Sequence, residues 1–468
     1  MDRIITLHKI NRWWVTGKVD SPFLYKVVRD EFRDITALLE DKRIISLIGP
    51  RRIGKSTLMY QTINYLLDAN TNPKNILLFS GDDPGLFSNH ETVYDILNDY
   101  TKEVLHQDFE TLRDRVYIFI DEIHFIKDWQ LYLKSLYDRR YNIKFIISGS
   151  SSIHLFEGSR ESMMGRLDDI YILPLSIGQF TRFYTAYKED LGLDAFCVLQ
   201  PTDSVFANPE EYYKELNQNK YKLAGFESAM NKITKTYLLC GGYPEYFDTD
   251  NLMIWRKRLT EDIISRGLYR DIVSIYKIKN PEILERLLFY IAANSGSEFS
   301  YSSIAQTLGV DSLTISSYMN YLSQAFFVSV CNNYSPNVGK VIRKNKKIYI
   351  SDSGVLNGIL RNYEPSPESE GVQVENCTVQ MARNYSESEG FTVYFWRSNQ
   401  QEADIIIDKK FGLTPVEVKY RNTVLEKDLK GLFSFIKTYE AKTGLVITKN
   451  YLQKKEGVIY IPFWMIHK

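Results

Sequence analysis

The sequence has few cysteines, no net charge and no long apolar run, and each absence argues against a class of protein. Its four cysteines (Cys197, Cys240, Cys331 and Cys377) lack C-x-x-C spacing, which argues against a zinc site or a disulfide framework and favours a reducing compartment. Lys and Arg total 58, as do Asp and Glu, so any DNA-binding surface must be a local patch. No apolar run reaches bilayer-spanning length, and the first residues lack the apolar core of a signal peptide. We therefore expect a cytoplasmic protein with no membrane partner.

The composition is that of a large folded protein. Hydrophobic residues make up 44% of the chain and charged residues 25%, and 33 tyrosines and 25 phenylalanines supply material for large cores. At the usual domain size, a chain of this length holds roughly three domains. The sequence therefore predicts several packed domains.

A phosphate-binding loop is predicted at residues 49–57, which read GPRRIGKST and match G-x-x-x-x-G-K-[ST]. The apolar run at residues 43–49 predicts a buried strand before the loop, and helical apolar spacing follows it. In this context backbone N–H groups bind phosphates, the lysine reaches the β and γ phosphates, and the serine hydroxyl ligates Mg²⁺. The predicted nucleotide-binding residues are Gly49, Pro50, Arg51, Arg52, Ile53, Gly54, Lys55, Ser56 and Thr57.

A second apolar strand, VYIFIDEIH at residues 116–124, ends in two carboxylates. In P-loop ATPases such a strand lies beside the loop, and its first carboxylate, here Asp121, helps Ser56 to hold Mg²⁺. The next carboxylate, Glu122, would act as the general base on the attacking water. The alternative is an ordinary strand that ends in a solvated acidic turn.

Other polar residues are candidates for contact with the γ-phosphate. Ser148 and Ser150 end the apolar strand at residues 143–152 and are either phosphate sensors or ordinary strand-end caps. Arg160 and Arg166 precede a fifth strand. An arginine here would neutralise transition-state charge in its own subunit or, within a homo-oligomer, in a neighbouring one. We favour Arg166 as the catalytic arginine.

The segments GPRRIGKST, VYIFIDEIH, FIISGSSS, GRLDDIYILPLSIGQF and CGGYPEYF, in this order, resemble the archaeal and bacterial AAA-superfamily ATPases. The resemblance covers nearly the whole chain and implies ATP as the nucleotide. It implies an α/β fold whose parallel P-loop sheet places the fifth strand beside the first, followed by the fourth, third and second. It assigns residues 1–180 to the ATPase core, 181–285 to a helical lid, 286–360 to a winged helix-turn-helix and 361–468 to a restriction-endonuclease-like α/β domain.

Residues 299–330 contain two short helical patterns joined by GVD, which is the spacing of a helix-turn-helix. Predicted N-caps are Ser302-Ser303 and Asp311-Ser312. The second helix, about residues 312–325, carries polar groups able to hydrogen-bond base edges or phosphates: Ser316, Ser317 and Asn320.

A predicted two-stranded wing follows, with the densest basic cluster in the chain: Lys340, Arg343, Lys344, Lys346 and Lys347. Such a cluster suits phosphate contact and predicts DNA as a partner. The alternatives are a solvated basic loop or a winged helix used only for protein packing.

The C-terminal third contains a second group of chemically active residues. In the strand PVEVKY, period-two alternation places Glu417 and Lys419 on one face and Val416 and Val418 on the other. Asp404 begins the preceding strand, so antiparallel pairing would bring it beside Glu417.

Two carboxylates and a lysine on one sheet face suit a metal-dependent phosphodiesterase, because carboxylates bind a hard cation and the lysine activates water. The pattern resembles the PD-(D/E)xK nuclease superfamily, in which Glu375 matches an additional helical glutamate. This predicts Asp404, Glu417 and Lys419 as catalytic residues. Glu375, Asp404 and Glu417 would hold Mg²⁺, with Mn²⁺ as the alternative ion.

Three hypotheses about function result. The first is an ATP-hydrolysing, DNA-binding enzyme whose C-terminal domain cleaves DNA. The second is an ATP-driven regulatory switch whose nuclease-like domain is an inactive DNA- or protein-recognition module. The third is a signalling scaffold that does not bind DNA.

Overall fold

The computed structural model divides the chain into two compact units, Met1–Leu173 and Pro174–Lys468. The structure describes residues 3–87, 92–149, 163, 165–189, 192, 196, 201, 203–337, 339, 341, 345–364, 366–386, 389–398, 400–410 and 412–466. The boundary between the two units therefore lies seven residues before the expected end of the ATPase core at residue 180. The expected division of the second unit into three domains remains a prediction. Within the described ranges, no helix is both long and apolar enough to cross a bilayer.

The first unit is built on a five-stranded sheet in which every pairing is parallel. The strands are β1 (Ile44–Ile48), β2 (Ile76–Ser80), β3 (Val116–Asp121), β4 (Ile143–Gly149) and β5 (Leu167–Tyr171). Their order is β2-β3-β4-β1-β5, which confirms the order that the family resemblance implied. Strands β1 and β4 are buried along their full length, which explains why both read as continuous apolar runs.

The helices of the first unit are α1 (Arg3–Ile10), α2 (Trp13–Thr16), α3 (Glu31–Ala37), α4 (Lys55–Asp68), α5 (Val93–Tyr100) and α6 (Trp129–Asp138). Helix α4 follows the predicted loop and buries Leu58, Met59, Ile63 and Leu66 at helical spacing. Because the strands are parallel, β1 and β3 end at the same edge of the sheet. The loop after β1 and the carboxylates at the end of β3 therefore share that edge.

The second unit contains a nine-stranded mixed sheet. Its strands are β6 (Glu298–Phe299), β7 (Val328–Asn333), β8 (Lys346–Ile350), β9 (Phe391–Ser398), β10 (Gln401–Lys409), β11 (Gly412–Lys419), β12 (Gly444–Thr448), β13 (Gln453–Lys455) and β14 (Val458–Pro462). Their order is β13-β14-β12-β11-β10-β9-β7-β8-β6. Strand β7 pairs in parallel with β9, where Asn332 lies opposite Tyr394. The expected winged-helix region and nuclease-like region therefore share one sheet.

The helices of the second unit are α7 (Ile177–Tyr187), α8 (Pro209–Gln218), α9 (Lys220–Ala224), α10 (Glu227–Cys240), α11 (Leu252–Arg258), α12 (Arg266–Leu268), α13 (Pro281–Ala293), α14 (Tyr301–Leu308), α15 (Ser312–Gln324), α16 (Ser353–Leu360), α17 (Pro367–Ser386) and α18 (Lys430–Tyr439). The region expected to form an ATPase lid, residues 181–285, falls in this unit. There the Tyr212 hydroxyl donates to the carbonyl of Met465 (2.8 Å), and Lys454 pairs with Glu210 (2.5 Å).

The two helices predicted at residues 299–330 are present as α14 and α15. Asp311 caps α15 as predicted, since its side chain accepts the backbone N–H of Thr314 (2.8 Å). The prediction for α14 was wrong by two residues. Ser300 is the N-cap, and its hydroxyl accepts the backbone N–H of Ser303 (3.1 Å).

The Gly241-Gly242 turn is a tight corner held by a buried carboxylate. Asp352 accepts the backbone N–H of Gly242 (2.7 Å) and that of Val355 (3.0 Å), so it joins the corner to the start of α16. Burial raises the pKa of Asp352 from 3.8 to about 6, although these backbone N–H groups lower it.

This raised pKa predicts a pH dependence of stability. The folded state binds the Asp352 proton more tightly than the unfolded state, so the stabilisation is complete below pH 3.8 and is lost as the pH rises through about 6. We expect this residue to lower the free energy of unfolding by about 1 kcal/mol between pH 5 and pH 8. Urea denaturation of wild type and Asp352→Asn at both pH values measures the difference. An equal pH dependence in the two proteins would contradict it.

Candidate nucleotide site and carboxylate cluster

The loop between β1 and α4 has the backbone geometry of a phosphate site. Gly54, just before α4, has φ +102°, which favours glycine. A Cβ on Gly49 would lie 2.0 Å from the carbonyl oxygen of Ile172, so only glycine fits there. Lys55 is buried, and its Nζ donates to the carbonyls of Gly49 (2.8 Å) and Pro50 (2.9 Å). The Lys55 side chain is thus folded back against the predicted phosphate-binding loop.

The rest of the predicted loop varies in exposure. Ile53 is fully buried, Ser56 and Arg52 are exposed, and Arg51 and Thr57 are half-buried. Arg29 supports the loop from outside the motif, because its guanidinium donates to the carbonyls of Ile53 (2.8 Å) and Leu173 (2.5 Å). Sequence reasoning missed Arg29, which lies 20 residues before the loop and belongs to no recognisable pattern.

The predicted magnesium ligands lie together. The Ser56 hydroxyl donates to Oδ2 of Asp121 (2.6 Å), and the Ser148 hydroxyl donates to Oδ1 of the same carboxylate. Burial and the charge of Glu122 raise the pKa of Asp121 above 3.8, whereas its hydrogen bonds to Ser148 and Ser56 lower it. A hydroxyl and a carboxylate beside a phosphate-binding loop are the donor set that Mg²⁺ prefers, so these residues fit the ion.

Glu122 is held in an unusual backbone conformation directly after β3. Its φ of 47° and ψ of 46° lie in the left-handed region, which costs a residue other than glycine about 1–3 kcal/mol. Its backbone N–H donates to Oγ of Ser148 (3.0 Å) and to Oδ1 of Asp121 (3.1 Å). Its buried Oε2 lies 3.3 Å from Nδ1 of His124.

Ser148 therefore positions the acidic pair in this structure. Its role as a γ-phosphate sensor remains a prediction, and Ser150 and Arg160 lie outside the described residues. His124 was not singled out by sequence reasoning. Its position two residues after Glu122 was the available signal.

The structure places Arg166 at the edge of the sheet away from the phosphate-binding loop. The carbonyl of Arg166 accepts the backbone N–H of Ile44 (2.8 Å), at the edge of the sheet where β1 begins. The phosphate-binding loop follows the opposite end of β1, about 13 Å away at the usual strand rise. The guanidinium also pairs with Asp138 (2.9 Å). Arg166 therefore lies away from the loop of its own subunit, and its catalytic role, there or on a neighbouring copy, remains a prediction.

In the second unit the predicted nuclease residues come together on the sheet. Ile405 of β10 lies opposite Val416 of β11, so Asp404 falls beside Glu417 as antiparallel pairing predicted. Oδ2 of Asp404 accepts the backbone N–H of Val418 (2.8 Å). Nζ of Lys419 lies 2.5 Å from Oε1 of Glu417 and 3.8 Å from Oδ2 of Asp404.

Three residues that sequence reasoning did not assign to this site complete the cluster. The Tyr349 hydroxyl donates to Oε1 of Glu375 (2.9 Å). Nζ of Lys347 lies 3.1 Å from the same oxygen, 2.5 Å from Oε1 of Glu402 and 3.9 Å from Oδ1 of Asp404. We name these residues the carboxylate cluster: Lys347, Tyr349, Glu375, Glu402, Asp404, Glu417 and Lys419.

The predicted role of Lys347 in DNA contact was wrong. Its side chain is 4% exposed, and it lies inside the carboxylate cluster because β8 continues the sheet that carries the other members. Lys346 is half-buried on the same strand. The remaining members of the predicted basic wing, Lys340, Arg343 and Lys344, lie outside the described residues.

The predicted metal site is not formed as expected. Among the residues that the structure describes, no group of three or more Asp, Glu, His or Cys side chains is arranged to hold a metal ion. The physical reason is that ammonium groups bridge the expected ligands. Lys347 bridges Glu375 and Asp404, and Lys419 bridges Asp404 and Glu417.

The carboxylates influence one another strongly. Burial and the charge of Asp404 raise the pKa of Glu417 to about 8, and the same two causes raise the pKa of Glu375 above 4.5. Burial lowers the pKa of Lys347, but Glu375, Asp404 and Glu402 raise it further, so the net shift is upward. Lys347 therefore remains an ammonium across neutral pH.

Comparison with known families identifies part of the chain. Residues 41–181 match the family model described as an AAA domain. The first unit contains an AAA-type P-loop ATPase domain. Homology of the AAA domain to ATPases supports ATP binding and hydrolysis. Residues 231–366 and 370–466 match two models that are each described as a domain of unknown function, DUF8612 and DUF4143.

Two relatives extend over nearly the whole chain. Uncharacterized protein MJ1544 of Methanocaldococcus jannaschii is 25% identical over 457 residues, which cover 92% of this chain and 90% of that protein. An uncharacterized protein of Haemophilus influenzae is 22% identical over 454 residues, which cover 94% of this chain and 98% of that protein. In both alignments the AAA domain and the second unit are matched together.

Solved structures show only distant similarity. The Aeropyrum pernix ORC1 protein in complex with DNA is 12% identical, with a TM-score of 0.31 over 75% of this chain and 96% of that chain. AMPPCP-bound DnaA from Aquifex aeolicus is 14% identical, with a TM-score of 0.27 over 64% of this chain and 89% of that chain. At these scores the likeness supports no conclusion about this chain.

Proposed function

We propose that the AAA domain hydrolyses ATP with Mg²⁺ and that the second unit is a DNA-recognition module. The observation that carries the first part is the hydrogen bond from Ser56 to Asp121, with Glu122 as the next residue. It joins the loop predicted to bind phosphate to the strand predicted to activate water.

The chemistry assigned to each residue follows from its position. Mg²⁺, when bound, neutralises charge on the phosphates. Ser56 and Asp121 would hold it. Lys55 would leave the carbonyls of Gly49 and Pro50 and donate to phosphate oxygens. Glu122 would accept the proton of the attacking water, and Nδ1 of its neighbour His124 lies 3.3 Å from the carboxylate.

Replacement of Lys55 tests ATP hydrolysis. We expect Lys55→Ala to reduce turnover about 100-fold or more, since it removes a positioned charge from the phosphate site. The matched control is Lys74→Ala, an exposed lysine of the same unit that should leave turnover unchanged. Phosphate release, measured for both variants, shows whether ATP turnover depends on Lys55. Turnover in Lys55→Ala within a factor of two of wild type would contradict the assignment.

DNA recognition is supported by the elements around α15. Helices α13, α14 and α15, with strands β6, β7 and β8, follow one another in the order of a winged helix-turn-helix. Ser317 and Asn320 are exposed on α15, the helix in the recognition position. Because α15 has no charged residue, the surface suits hydrogen bonding to bases or phosphates.

A negative charge on this helix should weaken DNA binding. We expect Asn320→Asp to lower the affinity for duplex DNA about tenfold, because the new carboxylate repels phosphate. Fluorescence anisotropy at fixed low salt measures the affinity. The control is Asn70→Asp, an exposed asparagine of the AAA domain. An equal affinity for both variants would exclude α15 from the interface, and absence of binding by the wild type would favour a scaffold that does not bind DNA.

A second candidate function is metal-dependent DNA cleavage at Asp404, Glu417 and Lys419. It is favoured by the convergence of these residues and by Oε2 of Glu417, which is buried and accepts no hydrogen bond from the described residues. Cleavage of plasmid DNA in Mg²⁺ by wild type, lost in Asp404→Asn, would establish it. If the protein hydrolyses ATP but does not cleave DNA, the second unit is better explained as a recognition module.

A further inference from the structure

The carboxylate cluster contains a lysine supplied by a different region from its other charged members. Glu375, Glu402, Asp404, Glu417 and Lys419 lie between residues 370 and 466, which match one family model. Lys347 lies on β8, within the region matched by another model. It reaches the cluster because β7 pairs with both β8 and β9.

The position of Lys347 coincides with the position expected for a cation. Its Nζ is within 3.9 Å of oxygens from Glu375, Glu402 and Asp404. Two of these, Glu375 and Asp404, are the carboxylates expected to share a metal ion. A lysine ammonium has three donors, so it can satisfy three carboxylates where a divalent cation would bind several oxygens directly.

Lys347 is also held more firmly than Lys419. The Lys347 side chain is 4% exposed, whereas that of Lys419 is 22% exposed. The ammonium lies 5.7 Å from the centre of the Phe395 ring, which adds a cation–π contact. Tyr349, two residues along the same face of β8, holds the same Glu375 oxygen. The β8 strand therefore contributes two side chains that bind Glu375.

We propose that Lys347 occupies the place of the divalent cation and thereby closes the nuclease-like site to Mg²⁺ and Mn²⁺. The cluster has four carboxylates and two ammonium groups and so stays formally acidic; Lys347 excludes a divalent ion because its ammonium occupies the position between the carboxylates, not because the cluster is neutral. The winged-helix strand β8 thus determines whether the site can take up metal. This inference is independent of ATP hydrolysis and of DNA binding, because metal uptake alone tests it, and it opposes the second candidate function, metal-dependent cleavage by the native chain.

Isothermal titration of the full chain with Mn²⁺, without nucleotide, is the decisive measurement. All proteins carry Asp121→Asn, which removes the metal ligand of the AAA domain. In this background we expect no Mn²⁺ site in the second unit with native Lys347. Lys347→Met should gain one Mn²⁺ site, at least tenfold tighter than any residual binding by its parent, and addition of Asp404→Asn should abolish it. Lys346→Met, at the neighbouring position on the strand, is the matched control and should behave as its parent.

A second variant serves if Lys347→Met alone does not fold. Lys347→Met combined with Glu402→Gln removes one charge of each sign, so the cluster keeps its net charge while the ammonium is absent. The same gain of one Mn²⁺ site is expected in this protein. A folded variant without Lys347 that gains no site overturns the proposal. It is overturned equally if the Asp121→Asn parent itself binds one Mn²⁺ that Asp404→Asn removes, a result that requires no change at Lys347.

Discussion

Replacement of Glu122 by glutamine is expected to reduce ATP turnover by about 10²- to 10⁴-fold, the usual contribution of a general base. Glutamine keeps the size and shape of the side chain, so the left-handed backbone at this position and its hydrogen bonds to Ser148 and Asp121 should persist. ATP should therefore still bind. The expected result is a protein that binds ATP and retains it unhydrolysed.

The measurement pairs phosphate release with equilibrium binding of a fluorescent ATP analogue. The matched control is Glu103→Gln, an exposed glutamate of the same unit, which should leave both unchanged. Loss of ATP binding together with turnover would mean that Glu122 maintains the structure of the nucleotide site instead of accepting the proton of the attacking water. Unchanged turnover would exclude Glu122 as the base and direct attention to Asp121 or His124.

Removal of Lys347 is expected to produce the largest change in stability. Lys347→Met leaves Glu375, Glu402 and Asp404 without the ammonium that they share, and breaking such a buried pair costs about 3–5 kcal/mol. The raised pKa of Lys347 means that this stabilisation is fully present at neutral pH and is lost only as the pH rises above 10.5. Urea denaturation followed by tryptophan fluorescence at pH 7 measures the free energy of unfolding.

The charge-balanced variant separates this effect from loss of packing. Lys347→Met with Glu402→Gln should recover part of the lost stability, because one uncompensated charge is removed. Lys346→Met should cost much less, since Lys346 lies outside the carboxylate cluster. Equal losses in the Lys346 and Lys347 variants would show that the ion pairs contribute little.

Local patterns predicted the strand, the loop and the helix around residues 49–57. The glycines, the lysine and the flanking strand and helix lie within about 25 consecutive residues, and their spacing determines their geometry. Placing the acidic pair at the end of β3 beside the loop required only that β1 and β3 be parallel. For Arg166 the information was available but was not combined: it directly precedes β5, and in a parallel sheet the start of a strand lies at the edge opposite the loop that follows β1.

The carboxylate cluster shows where local patterns are insufficient. Alternation within β11 and antiparallel pairing with β10 correctly placed Glu417 and Lys419 near Asp404. The pairing of β7 with β9 joins residues more than 60 positions apart, and no spacing along the chain predicts it. Period-two alternation in β8 does place Lys347 and Tyr349 on one face. That signal was available but was outweighed by the basic charge of the surrounding residues.

The continuous nine-stranded sheet has a practical consequence for dividing the chain. A fragment beginning at residue 361 would keep β9 but lose β7, and would leave a row of backbone N–H and C=O groups on β9 without partners. Such an open edge pairs readily with other copies and leads to aggregation. Strands β6, β7 and β8 therefore act as a cap on the C-terminal part of the sheet, and the smallest fragment expected to remain soluble includes both parts.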